Sequence, residues 1–150
     1  MKLMPSLLGG LAGAVTVTLM HELLKRNVPD APRMDRLGMQ AISKGMQEAE
    51  LPVPDTQKLF ATALLSELAM NTLYYSLAGI GKRSNAERKG SLLGFVAGLG
   101  SIFLPKPLGL NEKHSNKTFR TKMLAMGLYL LGGYIASAVG KLADKPHTNA

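Results

Sequence analysis

The sequence contains no cysteine. This absence excludes disulfide bonds, thiolate-ligated metal sites, cysteine nucleophiles and the lipidated cysteine of a lipoprotein, and it leaves the redox compartment undetermined. The H-E-x-x-H metal motif is also missing, because Lys25 stands where a second histidine would have to follow His21-Glu22. No phosphate-binding loop, dinucleotide fingerprint or Ser-His-Asp order is present, so we expect no enzyme activity, no metal site and no cofactor.

Charge is nearly absent from four stretches of the chain, although 19% of all residues are charged. The first stretch contains eighteen uncharged residues over 3–20, about 27 Å of helix, which is close to the thickness of the hydrocarbon core of a bilayer. We therefore predict an all-α fold, a four-helix transmembrane bundle that forms a single membrane domain over residues 1–150. The predicted spans are 3–24, 59–81, 90–105 and 123–140.

Small residues recur inside these stretches at helical spacing. In a membrane, glycine lets two helix backbones approach closely, whereas in a soluble helix each glycine costs about 1 kcal/mol relative to alanine. The predicted helix-packing residues are Gly9, Gly13, Gly94, Gly98, Gly132 and Gly133. The segment LLGGLAGA at 7–14, with short basic loops between glycine-rich spans, resembles the uncharacterised small bacterial polytopic membrane proteins. That resemblance implies a location and a fold class, and it implies no active site.

The connection between the first two spans has the pattern of an amphipathic helix over about 32–49. Apolar or small residues follow one face from Met34 to Ala49, and charged or amide side chains lie opposite. We expect this additional interfacial helix to rest on the membrane surface or on the ends of the spans. Local signals predict that Asn27 ends the first helix in the left-handed conformation and that Asp55 caps the second span. A capping box, Ser84 with Glu87, predicts a third helix start near Asn85.

One ionisable residue, Glu67, lies inside the second predicted span. Glu67, Asn71 and Tyr74 follow one another at i, i+4 and i+7, so they share a helix face and form an intramembrane polar stripe. An acid in a span costs about 2.5–3.5 kcal/mol and faces the bundle interior, where it either fixes a neighbouring span or serves transport. We expect about 9 Å of axial depth between Glu67 and His21, too far for pairing, and a hydrogen bond from Thr16 or Thr18 instead.

The net charge of +8 is compatible with nucleic acid, but basic loops beside apolar spans fit an anionic bilayer surface better. We therefore predict a membrane protein, placed in the bacterial inner membrane, that does not bind nucleic acid. Lysine and arginine counts favour the first and third loops in the cytoplasm. The tail from Lys141 to Ala150 is expected to fray.

Three functions remain open at this point. The first is a non-catalytic accessory or structural component that acts through helix–helix association, as a homo-oligomer or within a larger membrane complex. The second is a channel or transporter subunit that uses the Glu67, Asn71 and Tyr74 stripe. The third is a soluble helical bundle, which would be released from membranes without detergent.

Overall fold

In the computed structural model, which describes residues 1–144, every regular element is helical, and the all-α prediction is confirmed. Two short 3₁₀ turns lie at Leu77–Gly79 and Arg83–Asn85. The α-helices are α1 (Leu3–Asn27), α2 (Met34–Glu48), α3 (Thr56–Ser76), α4 (Ala86–Phe103), α5 (Lys113–Asn116) and α6 (Phe119–Ala143).

The four long helices α1, α3, α4 and α6 form an antiparallel bundle. Gly13 of α1 faces Gly132 of α6, while Gly9, nearer the start of α1, faces Gly140, nearer the end of α6. For the same reason, α4 and α6 are antiparallel, and so are α1 and α3. The helices α3 and α4 touch each other only sparsely, so an opening remains between them.

Both ends of the described chain lie at one end of the bundle. The amino group of Met1 donates to the carbonyl oxygens of Gly79 and Gly81, at 3.1 and 2.8 Å. The backbone N–H of Lys2 donates to Oδ1 of Asp144 at 3.1 Å. The opposite end is formed by α2, α5 and the loops around them, as an up-and-down bundle of four helices requires.

Close backbone contact between helices depends on glycine at several positions. A Cβ atom at Gly9 would collide with the carbonyl oxygen of Ala136, and one at Gly133 with that of Gly90. Because only glycine leaves room there, α1 and α4 pack directly on the backbone of α6.

The amphipathic helix predicted over 32–49 is α2, which begins at Met34 and ends at Glu48. Its one buried residue is Leu37, and Gly38 beside it faces Ala63 of α3. The backbone N–H of Arg33 donates to the carbonyl oxygen of His114 at 2.7 Å, which ties the start of α2 to α5. The helix thus lies across one end of the bundle.

The helix boundaries agree with some of the local signals and contradict others. Asp55 caps α3, with its carboxylate accepting from the backbone N–H of Lys58 at 3.0 Å, as predicted. The helix start predicted near Asn85 is confirmed, since α4 begins at Ala86, but the capping box is wrong, because a 3₁₀ turn precedes α4 and Asn85 makes no side-chain cap. The first helix ends at Asn27, as predicted, but the left-handed conformation is wrong there, since the positive φ, of 58°, belongs to Asp30.

Two of the helices, α1 and α6, are long and apolar enough to cross a membrane. The helix α4 carries three charged residues among its eighteen, and α3 carries Glu67 within its apolar run. The predicted fraying of the tail is wrong for its first residues, because α6 continues to Ala143 and Lys141 pairs with Glu87 at 2.7 Å. The rest of that predicted tail, residues 145–150, lies outside the described residues.

Candidate functional site

The predicted polar stripe on α3 divides between its two neighbouring helices. Glu67 points toward α1, where it meets His21. Tyr74 points the other way and donates its hydroxyl to the carbonyl oxygen of Leu93 on α4, at 2.9 Å. Asn71 lies between them, at the opening that separates α3 from α4.

His21 and Glu67 form the centre of the site, with Nδ1 of His21 3.6 Å from Oε1 of Glu67. The expectation that they lie too far apart is wrong, for two reasons. Lys25 of α1 lies over the ring of Phe60 of α3, so these two residues are at a similar depth. The expected axial distance of about 9 Å assumes instead that Leu24 and Lys58 are level, so the real distance between His21 and Glu67 along the bundle is smaller. In addition, side chains lean toward the start of their own helix, which in an antiparallel pair tilts these two toward each other.

Neither threonine is the hydrogen-bond partner predicted for Glu67. Thr16 donates back to the carbonyl oxygen of Ala12 at 2.8 Å, the local bond that a helical threonine makes readily. Thr18 is buried, and its hydroxyl has no hydrogen-bond partner within the described chain.

We use the name central polar cluster for Thr18, His21, Glu67 and Asn71. In each of these side chains at least one buried nitrogen or oxygen makes no hydrogen bond to another described residue. His21 is only 5% exposed, and neither of its ring nitrogens has a hydrogen-bond partner. Because an unpaired buried polar group costs about 1–3 kcal/mol, such a concentration favours a site that receives a proton, an ion or a polar ligand.

Two tyrosines complete the wall of this cluster, and sequence reasoning missed both. The ring of Tyr129 on α6 meets that of His21 edge to face, with 5.6 Å between centroids. Tyr75, only 1% exposed, donates its hydroxyl to the carbonyl oxygen of Tyr129 at 2.9 Å. Both lie in runs almost free of charge, and a tyrosine there signals a buried hydroxyl that needs a partner.

An apolar groove of about 410 Å³ opens between α3 and α4 beside the central polar cluster. Its polar lining residues are Asn71, Tyr74, Ser101 and Tyr129, and α2 with the segment after α4 closes one end. Its apolar lining includes Met34, Leu37, Met70, Val96, Leu104 and Leu108. The volume and lining suit an extended apolar chain rather than a polar metabolite.

The predicted helix-packing glycines all lie at contacts within the chain. Gly9 and Gly13 face α6, and Gly94 and Gly98 face Leu130 and Met126 of α6. From the α6 side, Gly132 meets Val17 and Gly133 meets Gly90. These small-residue faces are therefore occupied, and a second protein would have to use the outer faces of the helices.

The site offers proton exchange and polar binding. An imidazole and a carboxylate in contact can share a proton or together hold a cation. Within residues 1–144, no three His, Asp or Glu side chains come together in a way that could hold a metal ion. Comparison with family models, curated proteins and solved structures finds no match to this chain.

Proposed function

We propose that this chain is a small, non-catalytic integral membrane protein whose four long helices cross the bilayer while α2 lies at its surface. The observation that carries the proposal is an inverted distribution of polarity. Large apolar side chains dominate the outside of the bundle, while glycine, alanine, serine, threonine and a histidine fill much of the inside. In water, exposed apolar surface costs about 25 cal/mol per Å², whereas against lipid it costs nothing.

The outer face of α1 illustrates the argument best. Its exposed side chains recur every three or four residues and so follow one face of the helix for its whole length: Met4, Leu8, Leu11, Val15, Leu19 and Leu23. Soluble monomers rarely expose an apolar surface this continuous. The inner face of the same helix carries Ser6, Thr18 and His21, which a soluble core would not select.

The assignment of four spans extends this argument from two helices to four. Among the described helices, only α1 and α6 are long and apolar enough by themselves to span a membrane. However, α3 packs antiparallel along α1, and α4 packs antiparallel along α6. Outward-facing Leu65 and Leu73 on α3, and Phe95 and Val96 on α4, continue the apolar surface around the bundle. Arg88 and Lys89 at the start of α4 would then reach the headgroups, which allows a short helix to span.

Within the membrane we assign the chain an accessory or structural role, exerted through association of its outer faces with a second copy or a larger complex. Because the glycine faces are occupied, contacts through leucine and phenylalanine would form this interface. Carbonate extraction tests the membrane assignment, and crosslinking in native membranes tests the association. The protein should remain in the membrane pellet and give crosslinked species. Release into the supernatant as a monodisperse protein in plain buffer would overturn the assignment.

A second function, transport of a proton or a cation through the central polar cluster, is supported by a separate observation. Beside the His21–Glu67 contact of 3.6 Å, Nε2 of His21 and the side-chain nitrogen of Asn71 are buried without a hydrogen-bond partner in the described chain, where a purely structural contact would be expected to pair them. Replacing Glu67 by glutamine keeps the size of the side chain and removes its charge. Flux in proteoliposomes should fall at least tenfold if the cluster carries the ion.

The matched control for this test is Glu48→Gln, because Glu48 is exposed on α2 and makes one weak ion pair, with Lys44 at 3.9 Å. It removes one carboxylate without touching the cluster and should leave flux within twofold of the wild type. Equal flux in wild-type and Glu67→Gln protein would leave the accessory role as the remaining assignment.

A further inference from the structure

A second cavity, of about 380 Å³, lies at the α2 end of the bundle and is lined by basic side chains. It is enclosed by the end of α1, the start of α2, the segment through α5 and the start of α6. We call it the basic pocket. Its basic lining residues are Lys25, Arg33, Arg36, Lys113, His114 and Lys117.

The carboxylates near the basic pocket neutralise only part of its charge. Lys25 pairs with Glu22 and Asp35, at 2.6 and 3.4 Å, and Lys117 pairs with Asp30 at 3.1 Å. Asp35 also pairs with Arg33 at 2.8 Å. Five lysines and arginines thus meet three carboxylates. The two left over are Arg36 and Lys113, which form no ion pair with any residue in the described part of the chain.

A hydrogen bond from α6 fixes the wall of the basic pocket that Asp30 forms. The carbonyl oxygen of Asp30 accepts a hydrogen bond from the buried hydroxyl of Thr121 at 2.8 Å.

Burial lowers the pKa of His114, and the charges of Arg36 and Arg33 lower it further. Burial is the largest of these causes; the part that comes from Arg36 and Arg33 reflects two positive charges beside His114, which an incoming anion would also meet.

We propose that the basic pocket binds the phosphate of an anionic phospholipid headgroup, whose acyl chain follows the apolar groove between α3 and α4. This inference rests on the proposed membrane location. The two cavities are lined by neighbouring residues of the same segments: Arg33 and Arg36 line the pocket, and Met34 and Leu37 line the groove. Likewise, Leu110 lines the groove, and the next residue, Asn111, lines the basic pocket.

The charge pattern favours a headgroup over a soluble partner. Lys25 and Arg26 mark the point where the apolar face of α1 ends, so the pocket lies at headgroup depth. Arginine and lysine bind phosphate through charge-assisted hydrogen bonds, and Arg36 and Lys113 are free to provide them. A phospholipid offers a phosphate to the basic pocket and an apolar chain to the groove, whereas free phosphate offers nothing to the groove.

The test is native mass spectrometry of the full chain in mild detergent with added phosphatidylglycerol or phosphatidylcholine. The wild type should retain one phosphatidylglycerol and release phosphatidylcholine. The double variant Arg36→Gln/Lys113→Gln should bind phosphatidylglycerol at least tenfold more weakly, since each cation near an anionic lipid accounts for about a fivefold effect. The charge-preserving pair Arg36→Lys/Lys113→Arg should recover most of the binding, which separates lost charge from misfolding.

The control variant, Lys2→Gln/Lys82→Gln, removes two exposed charges at the opposite end of the bundle. It should bind phosphatidylglycerol within twofold of the wild type. Equal retention by the Arg36/Lys113 variant, or equal retention of both lipids by the wild type, would overturn the proposal.

Calorimetric titration with inorganic phosphate separates the two possible sources of the anion. Millimolar phosphate binding without lipid retention would overturn the lipid assignment and leave a free-anion site. If carbonate extraction released the chain as a soluble protein, the membrane function would fail first. The same titration on wild-type and Arg36/Lys113 proteins would still decide whether the basic pocket binds phosphate.

Discussion

At the residue scale, the absence of a side chain is what brings the helices together. A Cβ at Gly133 would collide with the carbonyl oxygen of Gly90 and lie 3.0 Å from the amide nitrogen of Gly94. Neither neighbour can move without displacing the backbone of α4. We therefore expect Gly133→Ala to destabilise the protein by about 1–3 kcal/mol, the usual cost of overpacking. The midpoint of thermal unfolding in detergent would measure this loss.

Gly127 provides the matched control on the same helix, because a Cβ there would meet nothing within 4 Å. Gly127→Ala should leave stability unchanged or raise it by up to about 1 kcal/mol, the difference in helix propensity between the two residues. A Gly133→Ala protein that melts at or above the wild-type midpoint would contradict the packing described for α4 and α6.

The residues of the central polar cluster were only partly accessible to sequence reasoning. The spacing of Glu67 and Asn71 on one helix predicts that they share a face, since helical periodicity is a local property. The contact of Glu67 with His21 could not be predicted, because it depends on how far α3 is shifted along α1. A register error of one or two residues changes the axial distance by about 1.5 Å per residue, enough to decide whether two side chains meet.

At the element scale, α2 is attached to the bundle by a charged contact centred on Asp35. Its carboxylate accepts hydrogen bonds from Arg33, at 3.0 and 2.8 Å, and lies 3.4 Å from the ammonium group of Lys25 on α1. Burial acts to raise the pKa of Asp35, but the hydrogen bonds and charge of Arg33, the backbone N–H of Arg36 and, least, the charge of Lys25 together outweigh it and lower this pKa to about 2.

A pH dependence follows from this low pKa. The carboxylate of Asp35 titrates lower in the folded chain than in the unfolded chain, so its ionised form stabilises α2 above about pH 4. This contribution should be lost as the pH falls from about 4 to 2. The protection of the α2 amides, measured as the intrinsic exchange rate at each pH divided by the observed rate, should fall over that range in the wild type, whereas Asp35→Asn should show low protection already at pH 6.

The control for this measurement is Glu48→Gln, which removes an exposed carboxylate at the other end of α2. Its exchange should follow the wild-type pH profile. If Asp35→Asn and the wild type showed the same profile between pH 6 and pH 2, the charged contact would not be what holds α2 in place.

At the scale of the whole molecule, the sequence predicts the helices better than their arrangement. The charge-poor runs locate α1, α3, α4 and α6 to within a few residues, because apolar length is visible in the composition. The groove between α3 and α4 and the basic pocket are invisible to that reasoning. Both arise where residues far apart in the chain, such as Arg33 and Lys113, meet at one end of the bundle.

The up-and-down order of the helices leads to a topology that labelling can measure directly. Because the chain has no cysteine, single cysteines can be introduced without removing any native one. Ser84 lies at the end of the bundle that holds both described chain ends, and Gln47 and Asn111 lie at the other, all three exposed. If four helices cross the membrane, Ser84→Cys should react with an impermeant maleimide from one side only.

Gln47→Cys and Asn111→Cys should then react from the opposite side, for which the counts of lysine and arginine favour the cytoplasm. Ser137→Cys, a nearly isosteric change at a buried position on α6, should react only after denaturation and provides the baseline for inaccessible positions. Labelling of Ser84 and Asn111 from the same side would mean that α4 does not cross, since these two positions flank that helix alone. In that case α1 and α6 would remain the candidate spans, and the apolar face of α4 would need a protein partner instead of lipid.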